Sequence, residues 1–153
     1  MSTTTLTSTR VLLRLTTILA IVAASLAGVS RPVSAATGSF TGNLTTSAST
    51  VSAGTPFTAT QTAINLTSAQ LYPITVGIRR LGFRVTGSVP PRTGFCRIAG
   101  SATCSFLALA PGETESYSLT LVATTPGTYQ LQGWASSTSV PGGSLTTLTI
   151  TVN

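Results

Sequence analysis

Apolar and polar residues alternate one by one along most of the chain after residue 55, which is the period of a strand that buries one face. The residues that share a face in each run are Ile74, Val76 and Ile78; Tyr117, Leu119 and Leu121; Tyr129 and Leu131; and Leu148, Ile150 and Val152. Turn-forming sequences such as APGE, TTPGT and VPGG separate the runs. About seven short strands with frequent turns predict an all-β fold, an antiparallel immunoglobulin-like sandwich.

The alternation changes phase once, between residues 74–78 and residues 81–85. The apolar positions are even-numbered in the first run and odd-numbered in the second. One extra residue in a strand exchanges its two faces, so the shift predicts a bulge or tight bend at Arg79 and Arg80. Arg80 and Arg84 then point away from the core.

The N-terminal segment has the composition of a secretory signal peptide. Arg10 and Arg14 precede an apolar run at residues 15–29, and small residues follow in the sequence VSA. We expect a helical signal peptide at residues 1–35, cleavage after Ala35, and one domain at residues 36–153. A retained membrane anchor is the alternative. The run is shorter than the roughly 20 residues needed to span a bilayer, which favours removal and a secreted or cell-surface location.

The composition excludes most common types of catalytic site. The chain contains no histidine, lysine or aspartate, and its two acidic residues are glutamates. A histidine-dependent nucleophile, a lysine Schiff base and a four-ligand zinc site cannot be assembled from these residues. We therefore expect a protein that is not an enzyme and that uses no cofactor or metal. The arginines of residues 36–153 are Arg79, Arg80, Arg84, Arg92 and Arg97. They are too few for the dense basic face of a nucleic-acid-binding protein.

Cys96 and Cys104 are the chain's two cysteines. An even number of cysteines in an exported chain predicts a disulfide, and the intervening sequence RIAGSAT contains a turn that would bring the pair together. A pair of free buried thiols and a reactive thiol are the alternatives.

Glu113 and Glu115 lie two residues apart beside a Pro-Gly turn. Two carboxylates can hydrolyse a glycosidic bond. However, no neighbouring residue in the sequence would give these two different roles. We expect both to lie on one solvent-exposed face and to serve solubility.

A candidate contact surface comes from Arg79, Arg80, Arg84 and Trp134. Guanidinium groups form paired hydrogen bonds with carboxylates and phosphates, and Trp134 falls on the face opposite to Tyr129 and Leu131. The alternatives are a solvated strand face for the arginines and a position beneath a loop for Trp134.

The order of motifs resembles the conserved-repeat domain of bacterial surface and secreted proteins, domain of unknown function 11. The similarity rests on VSAGTPFTATQTAIN, the cysteine pair, LALAPGETESYSLTLVA and PGTYQLQGWAS, and it covers roughly residues 44–152. The resemblance implies an immunoglobulin-like sandwich in an extracellular location. Where that family has a D-x-L-P segment before the first cysteine, this chain has GIRRLGFRVTGSVPPRTG.

Together these features predict a secreted, non-enzymatic structural or adhesive domain of the cell surface or extracellular matrix. It would contact copies of itself or other envelope proteins through exposed strand edges. It would have no nucleic-acid partner and no membrane span after signal removal. The alternative is a binding module that contacts an acidic wall polymer or glycan through arginine and aromatic side chains.

Overall fold

The computed structural model describes residues 39–153, which form strands and turns and contain no helix. The predicted signal peptide and the predicted cleavage site lie outside the described residues. The strands are β1 (Phe40–Thr46), β2 (Thr50–Val51), β3 (Phe57–Asn65), β4 (Ile74–Arg80), β5 (Arg84–Val89), β6 (Phe95–Ile98), β7 (Ser101–Phe106), β8 (Thr114–Val122), β9 (Gly127–Ser137) and β10 (Gly143–Val152).

Two sheets face each other as a sandwich. The smaller sheet has the order β1-β3-β8-β5, and the larger sheet has the order β2-β10-β9-β4-β7-β6. All pairings are antiparallel except that of β2 with β10. The predicted all-β sandwich is confirmed. The ten strands exceed the predicted seven in part because β2 and β6, with two and four residues, are too short to show a period.

The predicted alternation places the core between the sheets. Inward residues alternate with exposed or half-exposed ones in β3, β8 and β9. The fully buried side chains of both sheets include Ile74, Val76, Ile78, Leu119, Leu121, Leu131 and Ile150. Threonine and serine occupy most outward positions, where a β-branched hydroxyl side chain suits a pleated, partly exposed surface.

The phase shift between residues 74–78 and 81–85 has a different cause from the predicted bulge. The chain leaves the larger sheet at Arg80, turns through Leu81 and Gly82, and enters the smaller sheet at Arg84. A bend is therefore present, but it lies after the predicted position, because Arg79 and Arg80 still pair with β9. Gly82 in the bend is in the left-handed region at φ 86°. Because β4 and β5 face the core from opposite sheets, the inward residues are even-numbered in β4 and odd-numbered in β5. An irregularity in the ladder does occur, but it lies later, between Val85 and Gly87.

The two sheets approach each other closely along one side of the sandwich, where β1 packs against β9 and β10. Two inward glycines, Gly42 in β1 and Gly133 in β9, make this approach possible. A Cβ on Gly133 would overlap the side chain of Gln61 and lie 2.7 Å from the Cβ of Leu44. Gln61 is fully buried between the sheets, and its Oε1 has no hydrogen-bond partner among residues 39–153.

Tyr117 links the two sheets through the core. Its side chain is buried, and its hydroxyl donates a hydrogen bond to the carbonyl oxygen of Ala102 at 3.0 Å. Burial raises the pKa of the Tyr117 hydroxyl well above its ordinary value, and a backbone hydrogen bond involving Ile78 partly opposes this rise. The folded protein therefore keeps this proton at a pH where the unfolded chain releases it.

We expect the free energy of unfolding to fall as the pH rises above about 10, by about 1.4 kcal/mol per pH unit, because the unfolded state then binds one proton fewer than the folded state. Urea unfolding between pH 8 and 11 measures this decline. The chain has no lysine, which would otherwise titrate in the same range. Tyr117→Phe should remove the decline, whereas Tyr72→Phe, at a side chain that is 64% exposed, should keep it. Parallel declines in both variants would contradict the prediction.

Candidate functional site

Trp134 lies on the outer face of the larger sheet, as its position in the alternation predicts. In β9 the neighbouring residues Gly133 and Ala135 are buried against the core, while Trp134 is partly exposed. Trp134 pairs with Gly77 of β4, and a Cβ on Gly77 would overlap the six-membered ring of the indole. The indole therefore lies directly on the backbone of β4, and this contact requires a residue without a side chain at position 77.

The strand register assembles further side chains around this indole. Trp134 pairs with Leu145 on one side, and on the other the same row continues through Gly77 and Thr103 to Arg97. Directly paired residues of an antiparallel sheet project from the same face. Arg79, two residues along β4 from Gly77, pairs with Gln132 on that face as well. We call this surface the Trp134 face; it comprises Arg79, Arg97, Thr103, Gln132, Trp134 and Leu145.

The predicted arginine cluster is divided by the fold. Arg79 is exposed and belongs to the Trp134 face. Arg84 begins β5 and lies in the other sheet. Arg80, which was expected to point away from the core, is half-buried, and its guanidinium donates hydrogen bonds to the carbonyl oxygens of Phe83 at 3.0 Å and Ala99 at 2.8 Å. Arg80 therefore ties the turn between the sheets to the tip of the β6–β7 hairpin.

Arg97 completes the face, although its sequence position alone did not identify it. It follows Cys96, whose side chain points inward, so Arg97 projects outward from the short edge strand β6. The adjacent cysteine was the available signal, because successive residues of a strand point to opposite faces.

The predicted disulfide between Cys96 and Cys104 is present, and residues 39–153 contain no free cysteine. The two residues pair directly between β6 and β7, with their Cα atoms 4.0 Å apart. Cys104 is fully buried in the core. The bond therefore fixes the edge strand that carries Arg97 to the interior of the domain.

The two glutamates do not form a solvent-exposed pair. The expectation is wrong for Glu115, which is 5% exposed. It occupies the same inward phase of β8 as Tyr117, and the loop after β5 covers it. One carboxylate oxygen of Glu115 accepts a hydrogen bond from the backbone N–H of Arg92 at 2.8 Å, and the other lies 3.6 Å from the Nε of Arg92.

Glu113 is engaged at the same end of the sandwich. It accepts a hydrogen bond from the backbone N–H of Ala110 at 2.8 Å and lies 4.0 Å from a guanidinium nitrogen of Arg92. Both carboxylates thus hold loops in place. Within residues 39–153, no three histidine, cysteine or acidic side chains are close enough together to hold a metal ion.

Within residues 39–153, the acidic side chains lie away from the arginines of the Trp134 face. Both carboxylates lie at the start of β8 in the smaller sheet, beside Arg92. The Trp134 face carries Arg79 and Arg97, and none of the acidic residues described in the domain lies on it. The outer face of the larger sheet is therefore positively charged around a partly exposed indole.

No known protein family and no curated protein matches the chain. Solved structures do match. A CARDB domain from Pyrococcus furiosus, crystallised in complex with di-metal ions, is 11% identical over 74% of this chain and 92% of that domain, with a TM-score of 0.52. The C-terminal domain of the Streptococcus pyogenes antigen I/II-family protein AspA is 10% identical over 72% of this chain and 46% of that chain, with a TM-score of 0.53.

The chain has an immunoglobulin-like β-sandwich fold. At identities of 10% to 11% the matches show the fold alone. The resemblance to domain of unknown function 11 is thus supported as a fold and not as membership of that family.

Residues 39–153 also contain no helix that is long and apolar enough to cross a membrane.

Proposed function

We propose that this protein is a secreted, non-enzymatic adhesive domain that works at the cell surface or in the extracellular matrix. Its contact surface is the Trp134 face. The observation that carries the proposal is the indole of Trp134 lying on Gly77, where the sheet presents an aromatic ring on the same face as two exposed arginines. Aromatic and arginine side chains contribute most to the energy of many binding interfaces.

The state of the two glutamates supports a role without catalysis. A general acid or base must reach the proton that it transfers. Glu115 is buried against Arg92, and Glu113 caps the backbone of Ala110. The chain has no histidine, lysine or aspartate, so the commonest acid–base residues other than glutamate are missing.

Three of the four edge strands offer less for a stable contact than the face does; the fourth, β1, has seven residues and a regular register. In the larger sheet β6 has four residues and is held by the disulfide, and β2 has two residues. In the smaller sheet β5 carries a register shift between Val85 and Gly87. Short and irregular edges resist the addition of another strand. Edge pairing between copies stays a prediction, which the native mass of the protein released undenatured from its envelope fraction would test.

The experiment is a co-sedimentation assay. Protein purified from cells that express the full chain is mixed with envelope fragments from cells that lack it, and the bound fraction is measured after centrifugation. We expect wild type to sediment with the fragments and Trp134→Ala to bind at least about 10-fold more weakly, because a central tryptophan is often an interface hot spot.

The matched control is Val89→Ala, which removes an apolar side chain that is 65% exposed on the smaller sheet. It should bind like wild type. If wild type stays in the supernatant, the adhesive function is wrong. If Trp134→Ala sediments like wild type, the Trp134 face is not the contact surface.

A further inference from the structure

We infer that the Trp134 face binds a linear polysaccharide that carries carboxylate groups. This inference rests on the proposed function and names the class of its ligand. It follows from three properties of the face: an indole with one side laid on the sheet, two separated guanidinium groups, and half-exposed polar side chains between and around them.

The indole is placed for stacking. Because Gly77 has no side chain, the ring of Trp134 rests on the strand beneath it instead of standing upright. Gly77 itself is buried although its position faces outward, since the indole covers it. Trp134 is half-buried, so part of its side chain remains exposed to solvent. A flat apolar surface with a polar rim suits the C–H face of a pyranose ring.

Arg79 and Arg97 are too far apart to bind one small anion together, but their spacing suits a polymer that carries several anionic groups. Trp134 and Arg97 stand in the same row three strands apart, which corresponds to about 14 Å between their backbones at the usual spacing of neighbouring strands. Arg79 lies two residues from Gly77 along β4, or about 7 Å. Arg79 and Arg97 are therefore two strands and two residues apart, or about 12 Å between their backbones. Their guanidinium groups would meet carboxylates on different units of a polymer, where each can form a paired hydrogen bond.

The remaining side chains of the face favour a sugar chain over a protein partner. Thr103 lies in the row between Gly77 and Arg97, and Gln132 lies between Trp134 and Arg79 in the register. Hydroxyl and amide groups donate and accept hydrogen bonds, as sugar hydroxyls do. Leu145, 70% exposed, contributes one apolar side chain at the end of the row, where it pairs with Trp134.

The test is calorimetric titration with alginate, a linear polymer of uronic acids, using protein purified from cells that express the full chain. We expect wild type to bind alginate and to bind carboxyl-reduced alginate at least about 10-fold more weakly. Trp134→Ala should lose at least about 10-fold in affinity for alginate, the effect typical of a central aromatic contact. Trp134→Phe should retain part of that affinity, and far-UV circular dichroism should show that both variants are folded.

The charge contribution is tested separately. Raising sodium chloride from 50 to 500 mM should weaken wild-type binding several-fold, because salt screens exposed charges. The double variant Arg79→Gln and Arg97→Gln should bind weakly at both salt concentrations. The matched control, Arg84→Gln, removes an exposed arginine from the other sheet and should behave like wild type.

The possible failures are distinguishable. If alginate does not bind, or if its carboxyl-reduced form binds equally well, the acidic polysaccharide is the wrong ligand class. The proposed function still stands in that case if Trp134→Ala reduces sedimentation with envelope fragments. If Arg84→Gln weakens alginate binding as much as the double variant does, the charge effect is not located on the Trp134 face and the inference is overturned.

Discussion

Replacing Gly42 by alanine is expected to lower the free energy of unfolding by about 3 kcal/mol, the upper range for adding a methyl group to a packed interior. Gly42 faces inward where β1 approaches β9 and β10. The new Cβ would overlap the Oγ of Ser144 and lie 2.5 Å from the Cβ of Ala135. The Ala135 methyl group cannot rotate away, because its position is set by the backbone of β9. The sheets must therefore separate along this side of the sandwich.

Urea unfolding measures the loss, and Gly100→Ala is the matched control. Gly100 lies at the tip of the β6–β7 hairpin, and a Cβ there meets nothing within 4 Å. The control should change stability by less than about 0.5 kcal/mol, as surface substitutions usually do. Equal unfolding midpoints for the two alanine variants would show that the sheets are not held together by close packing at Gly42.

Glu115→Ala is expected to lower the free energy of unfolding by about 2 kcal/mol, because a charge-assisted hydrogen bond contributes roughly 1.5–3 kcal/mol. The substitution removes the acceptor for the backbone N–H of Arg92 and leaves a space beneath the loop after β5. The ion pair adds little, since the Arg92 side chain is 76% exposed and water screens it. The lost backbone contact is thus the main cause.

Two further variants separate this cause from the loss of charge. Glu115→Gln keeps an acceptor oxygen for Arg92 and should recover more than half of the lost stability. Glu113→Ala removes a carboxylate from a half-exposed position two residues away and should cost less than about 1 kcal/mol, since water can replace its contact with Ala110. A larger loss for Glu113→Ala than for Glu115→Ala would contradict the assignment of Glu115 as the anchor of the loop.

The outward position of Trp134 was predictable because it depends only on local alternation, which a single strand displays. Its contact with Gly77 was not, because that contact depends on how β4 and β9 pair across more than fifty intervening residues. The same reason separates Arg79 from Arg84. The phase shift between them was visible, but a bulge within one strand and a crossing between two sheets leave the same pattern.

Glu115 illustrates a different limit. Its place in the inward phase of β8 was visible in the sequence, since it precedes Tyr117 by two residues. The expectation of exposure came from its charge, because glutamate is seldom buried unless it is paired. The partner that permits burial, the backbone N–H of Arg92, comes from a loop whose path the alternation of apolar residues does not describe.

Trp134 is the single tryptophan of the chain. Because its indole rests on Gly77 at the outer face of the sheet, the tryptophan fluorescence of the protein originates within the proposed contact surface. A molecule that stacks on the ring would displace water from it and move the emission to shorter wavelength. A molecule that attaches elsewhere would leave the emission unchanged. The protein therefore carries its own optical reporter for occupancy of this face.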